Sequence, residues 1–159
     1  MEPSPRKSKK PSAGPPAKPP EIPVFFVDRD TGGRLLAAAL RPHGYRIELH
    51  GDHFAQDTPD PFWIRGVAQR GWVILTCDRN IARKEPERSL FGTAPTYTFI
   101  LYALSHVHRE QRVPLVLEVL PKLGALIAAH SIHGIYRVYT DGKIEHVGGI
   151  KPKFRLEDF

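Results

Sequence analysis

Cysteine and long apolar runs are almost missing from this chain, and each absence narrows what it can be. A single cysteine, Cys77, in 159 residues excludes an internal disulfide and leaves no second thiol for a zinc site. No apolar stretch approaches the ~20 residues that a bilayer span needs, and the N-terminus lacks the apolar core of a signal peptide. A cytoplasmic, reducing setting with no membrane partner is therefore the expectation. No internal repeat is present either.

What is present fits one domain with a real core: 17.9 kDa, 41% aliphatic, aromatic and cysteine residues. The net charge of +6 makes polyanions plausible partners. Half of that charge falls in residues 1–21, where five Lys or Arg face Glu2 and Glu21. Eight of the sixteen prolines lie in the first 23 residues. Such a segment buries too little apolar surface to offset its ordering entropy, so residues 1–22 read as a disordered basic tail. The folded unit is expected over 23–148, with 149–159 as a C-terminal tail.

Hydrophobic periodicity then alternates in type. Val24–Asp28 reads as a short apolar run ending in acid, the pattern of a central strand buried on both faces. Thr31 offers an N-cap to a helix with Leu35, Leu36, Ala39 and Leu40, stopped by Pro42 and Gly44. Tyr45–His50 alternates like a strand nearer an edge, and Gly51–Pro59 reads as a loop. Asp60-Pro61 opens a second helix, with the acid at the cap, before the strand Trp72–Thr76 and its terminal Cys77-Asp78. A short charged helix interrupted by Pro86, a strand at Thr96–Leu101 and a long helix over Val113–Ala129 follow. Pro121 is expected to kink or split that helix. Ile135–Thr140, Asp141-Gly142 and Lys143–Val147 form a hairpin signal. The order predicts a three-layer α/β/α sandwich with a mostly parallel central sheet and a C-terminal β-hairpin edge.

That order brings acids together. Parallel strands joined by right-handed crossovers place their C-terminal ends on one edge, where open α/β sheets bind ligands. Asp28, Asp30, Asp52, Asp57, Asp60 and Asp78 can all reach this rim. Carboxylates so gathered repel one another, and a divalent cation relieves the penalty. Mg²⁺ or Mn²⁺ takes oxygen ligands, and phosphoryl chemistry is the natural use.

Each acid also has an ordinary reading. Asp30 reads equally as a helix cap or a ligand, Asp60 could simply cap, and Asp57 reads as a solvated loop residue. Asp28 and Asp78 resist such readings, because a carboxylate directly after a buried strand is costly unless paired or ligated. His50-Gly51-Asp52-His53 does not supply a tetrahedral zinc set, so these histidines read as surface or supporting groups. Cys77 reads as a small core residue. Asp28-Arg29-Asp30-Thr31 resembles a haloacid-dehalogenase motif with its Thr one place early, and no later Lys or acidic pair completes that phosphatase site.

Phe26-Val27-Asp28-Arg29-Asp30 with its following helix, Gly44-Tyr45-Arg46-Ile47, the His50–Phe54 loop, Pro59-Asp60 and Gly71–Arg79 resemble, in order, the PIN-like nuclease superfamily. The likeness is to the short PIN-like domains grouped with VapC-type toxins, and Thr76-Cys77-Asp78-Arg79 is its most specific piece. The resemblance implies a metal-dependent endoribonuclease, with Asp28, Asp60 and Asp78 as catalytic and metal-binding acids and a cognate antitoxin as partner. Many relatives carry a further acid where this chain has Asn80, so Asp30 or Asp52 is a candidate substitute, with Thr76 and Asn80 supporting the site. Arg29, Arg34, Arg79, Arg83 and Lys84, with Arg88 nearby, suit an RNA backbone. Asn80 also keeps a second reading open, a catalytically weakened RNA- or protein-binding module. A homodimer is compatible with either reading.

Overall fold

A computed structural model describes residues 22–159, so the tail expected before that point lies outside the described residues. The chain forms six strands: β1 (Val24–Val27), β2 (Arg46–Leu49), β3 (Val73–Thr76), β4 (Tyr97–Leu101), β5 (Gly134–Val138) and β6 (Ile144–His146). Between them lie helices α1 (Gly33–Leu40), α2 (His50–His53), α3 (Asp60–Gln69), α4 (Glu87–Thr93) and α5 (Arg109–Ala128). The sheet order is β2-β1-β3-β4-β5-β6, parallel throughout except for the β5–β6 hairpin.

Strand residues alternate between two faces, as the two-residue period requires. Phe25, Val27, Val73, Leu75, Tyr97 and Phe99 point into one apolar layer, which Leu36 and Leu40 of α1 and Val116, Leu120 and Leu123 of α5 complete. Phe26, Ile74, Ile100 and Ile135 face the other layer, with Trp63, Ile64 and Val67 of α3 and Leu90 and Phe91 of α4. Helices thus cover both faces, and β1, β3 and β4 are buried along their whole length. This is the expected α/β/α sandwich. No helix among the described residues is long and apolar enough to cross a membrane.

Local differences from the sequence reading have physical causes. α5 runs as one helix of 20 residues through Pro114 and Pro121. The buried stripe Val116, Val119, Leu120, Leu123 and Ile127 continues across Pro121, whose ring lies at an exposed position, so packing holds the helix together. The N-cap of α1 is Gly32 rather than Thr31, because the chain turns there with a left-handed φ of 86°. α3 is capped at Pro59, with Asp60 as its first residue and no side-chain cap bond. The expected loop after β2 begins with the turn α2, whose His50 packs among Phe26, Phe54 and Trp63. Residues after 148 cross the α3–α4 layer, where Ile150, Leu156 and Phe159 pack against its apolar cluster. The Lys153 N–H donates to Ser89 Oγ at 2.8 Å.

Candidate active site

The chain passes from β1 out to β2 and returns to β3 on the other side of β1. The strand order therefore reverses between β1 and β3, the point where open α/β sheets carry their ligand crevice. Asp28 follows β1, and Cys77 and Asp78 follow β3, at that reversal. The parallel ladder extends one step further, since the Asp28 N–H donates to the Leu75 carbonyl at 3.4 Å.

The Asp28 side chain is 7% exposed, so its carboxylate requires hydrogen bonds in place of water. Thr76 Oγ1 donates to Asp28 Oδ2 at 2.6 Å, and Thr31 Oγ1 donates to Oδ1. Each hydroxyl oxygen also accepts a backbone N–H at 3.0 Å, Thr31 from Cys77 and Thr76 from Asp78. A hydroxyl has only one proton. Each threonine thus links a backbone N–H of the β3 exit to one oxygen of the Asp28 carboxylate, which gains hydrogen bonds in place of water.

The other acids are tied differently. Asp60 Oδ1 accepts from Arg29 Nη2 at 2.9 Å and from Trp63 Nε1 at 2.8 Å, so Arg29 links the start of α3 to the β1 exit. Arg29 Nη1 also donates to the Gln56 carbonyl. Asp78 Oδ1 accepts the Asn80 N–H at 2.9 Å and shapes its own turn. Asp52 is exposed on α2. The side chain of Asp30 lies outside the described residues, and its backbone belongs to the 3-10 turn Arg29–Thr31.

A cleft of about 420 Å³ opens beside Asp28. Arg29, Arg34, His50, Asp52 and Arg109 line it with Asp28, whereas Asp60 and Asp78 do not. His50 is 2% exposed, and neither ring nitrogen has a partner among the described residues. Burial holds its pKa below the ordinary value, the Arg29 charge pushes the same way, and Asp60 opposes. The imidazole is therefore neutral at pH 7. Cys77 is also buried, which pushes its thiol up to about 11. Arg112 and the Thr31 hydrogen bond pull its pKa down, Asp28 raises it, and burial prevails. A thiol of that pKa is protonated at neutral pH and is no nucleophile.

Hard divalent cations want oxygen donors, and these strand ends supply them. Among the described residues, however, no set of three or more His, Cys, Asp or Glu side chains lies close enough to hold an ion. The arrangement suits a sparser site, because Mg²⁺ is commonly held by one or two carboxylates, with waters and substrate phosphates completing its shell. Asp28 and Asp78 stand at neighbouring strand ends, tied through Thr76. Asp60 has one oxygen, Oδ1, taken up by Arg29 and Trp63.

Of the basic residues, Arg34, Arg83 and Lys84 are exposed. Arg79 lies against Tyr102, its guanidinium carbon 4.6 Å from the ring centre and its Nε donating to the Tyr102 carbonyl at 3.0 Å. Sequence reasoning did not find Thr31 as a partner of Asp28, and its spacing three residues on was the available signal. Arg109 in the cleft wall had no local signal, because α5 brings it from the far end of the chain.

A crevice at the strand-order reversal of a doubly wound sheet, lined by a buried, hydrogen-bonded aspartate, defines an α/β protein with a carboxylate site. The sequence profile of the PIN like domain family matches residues 23–103, about half of the chain, and the chain belongs to that family. It is similar to the protein named "Putative ribonuclease VapC45" of Mycobacterium tuberculosis, 35% identical over 68 residues. That alignment covers 40% of this chain and 49% of the relative, so the chain spans about half the length of the curated relative it matches. No solved structure matches the chain.

Proposed function

We propose that this protein is an endoribonuclease that hydrolyses RNA phosphodiester bonds with Mg²⁺ or Mn²⁺ and acts as the toxin of a toxin–antitoxin pair in the cytoplasm. The observation that carries the reading is the Asp28 carboxylate, buried and hydrogen-bonded to two threonine hydroxyls at the strand-order reversal. Family membership and the ribonuclease name of the relative support it. The catalytic unit is assigned to residues 23–148, with 1–22 as a basic extension and 149–159 as a C-terminal segment.

Asp28 and Asp78 are the residues assigned to hold the cation, and Asp30 and Asp52 are the candidates for a further donor. Asp60 acts through Arg29, setting the direction of that guanidinium beside Asp28. When bound, such a cation polarises a phosphate and lowers the pKa of a bound water. Thr76 and Thr31 hold the Asp28 carboxylate in place, so little reorganisation is needed when charge develops at the phosphate. Arg29, Arg34, Arg79, Arg83 and Lys84 contact the strand's phosphates and position it without reading bases. Arg34 lies in the wall of the Asp28 cleft, where a backbone phosphate would enter.

The test is cleavage of single-stranded RNA by purified protein in Mg²⁺, in Mn²⁺ and in chelator. Asp28→Asn and Asp78→Asn are expected to abolish metal-dependent cleavage while preserving the circular dichroism of the fold. Full activity in both variants, or undiminished activity in chelator, rejects the assignment. A second reading, an RNA- or protein-binding module with weakened catalysis, is favoured by Asn80 and by the lack of a three-donor set among the described residues. It predicts RNA affinity unchanged by chelator and no turnover.

A further inference from the structure

We propose that four arginines on the α4 side of the sheet, Arg79, Arg83, Arg88 and Arg137, form a subsite for one backbone phosphate of a nucleic-acid strand. The proposal rests on the nuclease reading and adds a binding position to it. Arg79 and Arg83 come from the loop after β3, Arg88 from α4 and Arg137 from β5. These four line one cleft with Tyr102. Arg79 directly follows Asp78, so the subsite adjoins the carboxylate rim on the side away from the Asp28 cleft. Arg137 lies beyond residues 23–103, the part matched by the family profile.

Charge makes the cleft incomplete by itself. Among the described residues the only carboxylate within salt-bridge distance of these four is Glu145, 3.5 Å from Arg137 Nη1, in a pair about 40% exposed. Arg79 is satisfied by neutral groups, the Tyr102 carbonyl at 3.0 Å and His106 Nε2 at 3.4 Å. The side chains of Arg83 and Arg88 make no hydrogen bond or salt bridge among the described residues. Glu145 offsets Arg137, and the Arg88 charge acts on Glu85, which leaves Arg79 and Arg83 as like charges that an anion would relieve. Guanidinium groups match phosphate oxygens in paired, parallel hydrogen bonds, which a lysine cannot do.

The geometry is prepared in advance. The guanidinium carbons of Arg79 and Arg137 lie 4.6 and 5.7 Å from the centre of the Tyr102 ring. Tyr102 therefore aligns cations instead of stacking a base. The cavity measures about 70 Å³, against the ~10–15 Å³ needed to hold one water. It has room for several waters or a single phosphate group.

Binding of a labelled single-stranded RNA, followed by fluorescence anisotropy in chelator across a salt series, tests the subsite without cleavage. Arg83→Gln with Arg88→Gln should weaken binding about tenfold at low salt. It should also lower the slope of log affinity against log salt by about 0.7, the value for one phosphate on a single strand. The charge-matched control, Arg46→Gln with Lys122→Gln, sits at exposed positions elsewhere and should leave the slope unchanged. Titration of the wild type with inorganic phosphate, read by NMR of arginine Nε–H signals, should shift Arg83 and Arg88. Shifts with phosphate in a protein that neither binds nor cuts RNA would uphold the anion site and reject the nuclease reading. Unchanged RNA affinity and slope in Arg83→Gln with Arg88→Gln, or no phosphate-induced shift, overturns the subsite.

Discussion

The Thr76 hydroxyl donates to the Asp28 carboxylate at 2.6 Å and thereby ties the end of β3 to the end of β1. The same oxygen accepts the Asp78 N–H at 3.0 Å, so a single threonine positions both acids assigned to the cation. Thr76→Val keeps the shape and removes the hydroxyl. It removes one hydrogen bond from the buried Asp28 carboxylate and the acceptor of the Asp78 N–H, which should cost roughly 1–3 kcal/mol. Urea denaturation should register that loss, and RNA cleavage should fall with it, because Asp78 loses its tether. Wild-type stability and activity in Thr76→Val would remove Thr76 from the site.

Much of this arrangement is legible in the sequence, and the illegible part has a common cause. The buried strands Val24–Val27 and Val73–Thr76 announce themselves as short apolar runs ending in acid, so the placement of Asp28 and Asp78 at one edge follows from parallel order alone. The partners of those acids do not. Whether Asp60 caps a helix, binds a cation or pairs with Arg29 depends on where a residue 31 positions away in sequence points its side chain. The single-helix course of α5 through Pro121 depends on a packed stripe rather than on local propensity. Residues 149–159 read as a tail by composition, yet Ile150, Leu156 and Phe159 pack on the α3–α4 layer.

Asp60 provides a direct contrast between a positioning role and a ligand role. Its ion pair with Arg29 is about a third exposed, so Asp60→Asn should cost only about 0.2–1 kcal/mol, while the Asn oxygen still accepts from Trp63. As a residue acting through Arg29, Asp60→Asn should weaken RNA binding and spare Mn²⁺ affinity. A large loss of metal affinity, measured by calorimetry on the purified variant, would instead make Asp60 a ligand.

His50 is a buried group with no partner for either nitrogen among the described residues, and such groups cost about 1–3 kcal/mol. His50→Phe, in a nest of Phe26, Phe54 and Trp63, should therefore raise stability by about 1 kcal/mol. The pH dependence carries the sign. Burial lowers the folded pKa below 6.5, so the unfolded chain binds a proton first as the solution is acidified. The contribution to stability is full above pH 6.5 and is lost as pH falls toward the folded value. Denaturation curves at several pH values in chelator should show this slope in the wild type and its disappearance in His50→Phe. An unchanged slope would assign the acid sensitivity to another group.

Asn80 decides how much charge the site needs. Its N–H donates to Asp78 Oδ1 at 2.9 Å, and its side chain is exposed, so Asn80→Asp adds a carboxylate beside Asp78 without disturbing the core. If Asp28 and Asp78 alone hold the cation, the added charge should tighten Mn²⁺ binding several-fold and raise single-turnover cleavage. If Asp30 or Asp52 already supplies a further donor, Asn80→Asp should change little, and changing the true donor to Asn should weaken metal affinity and cleavage together. Asp52 lines the Asp28 cleft, which makes Asp52→Asn the informative partner in the comparison. Metal titrations and single-turnover assays of Asn80→Asp, Asp30→Asn and Asp52→Asn separate these cases. We expect the gain in Asn80→Asp, because the described carboxylates do not converge three at a time. Wild-type affinity in Asn80→Asp combined with a loss in Asp52→Asn would show instead that the cleft acid completes the site.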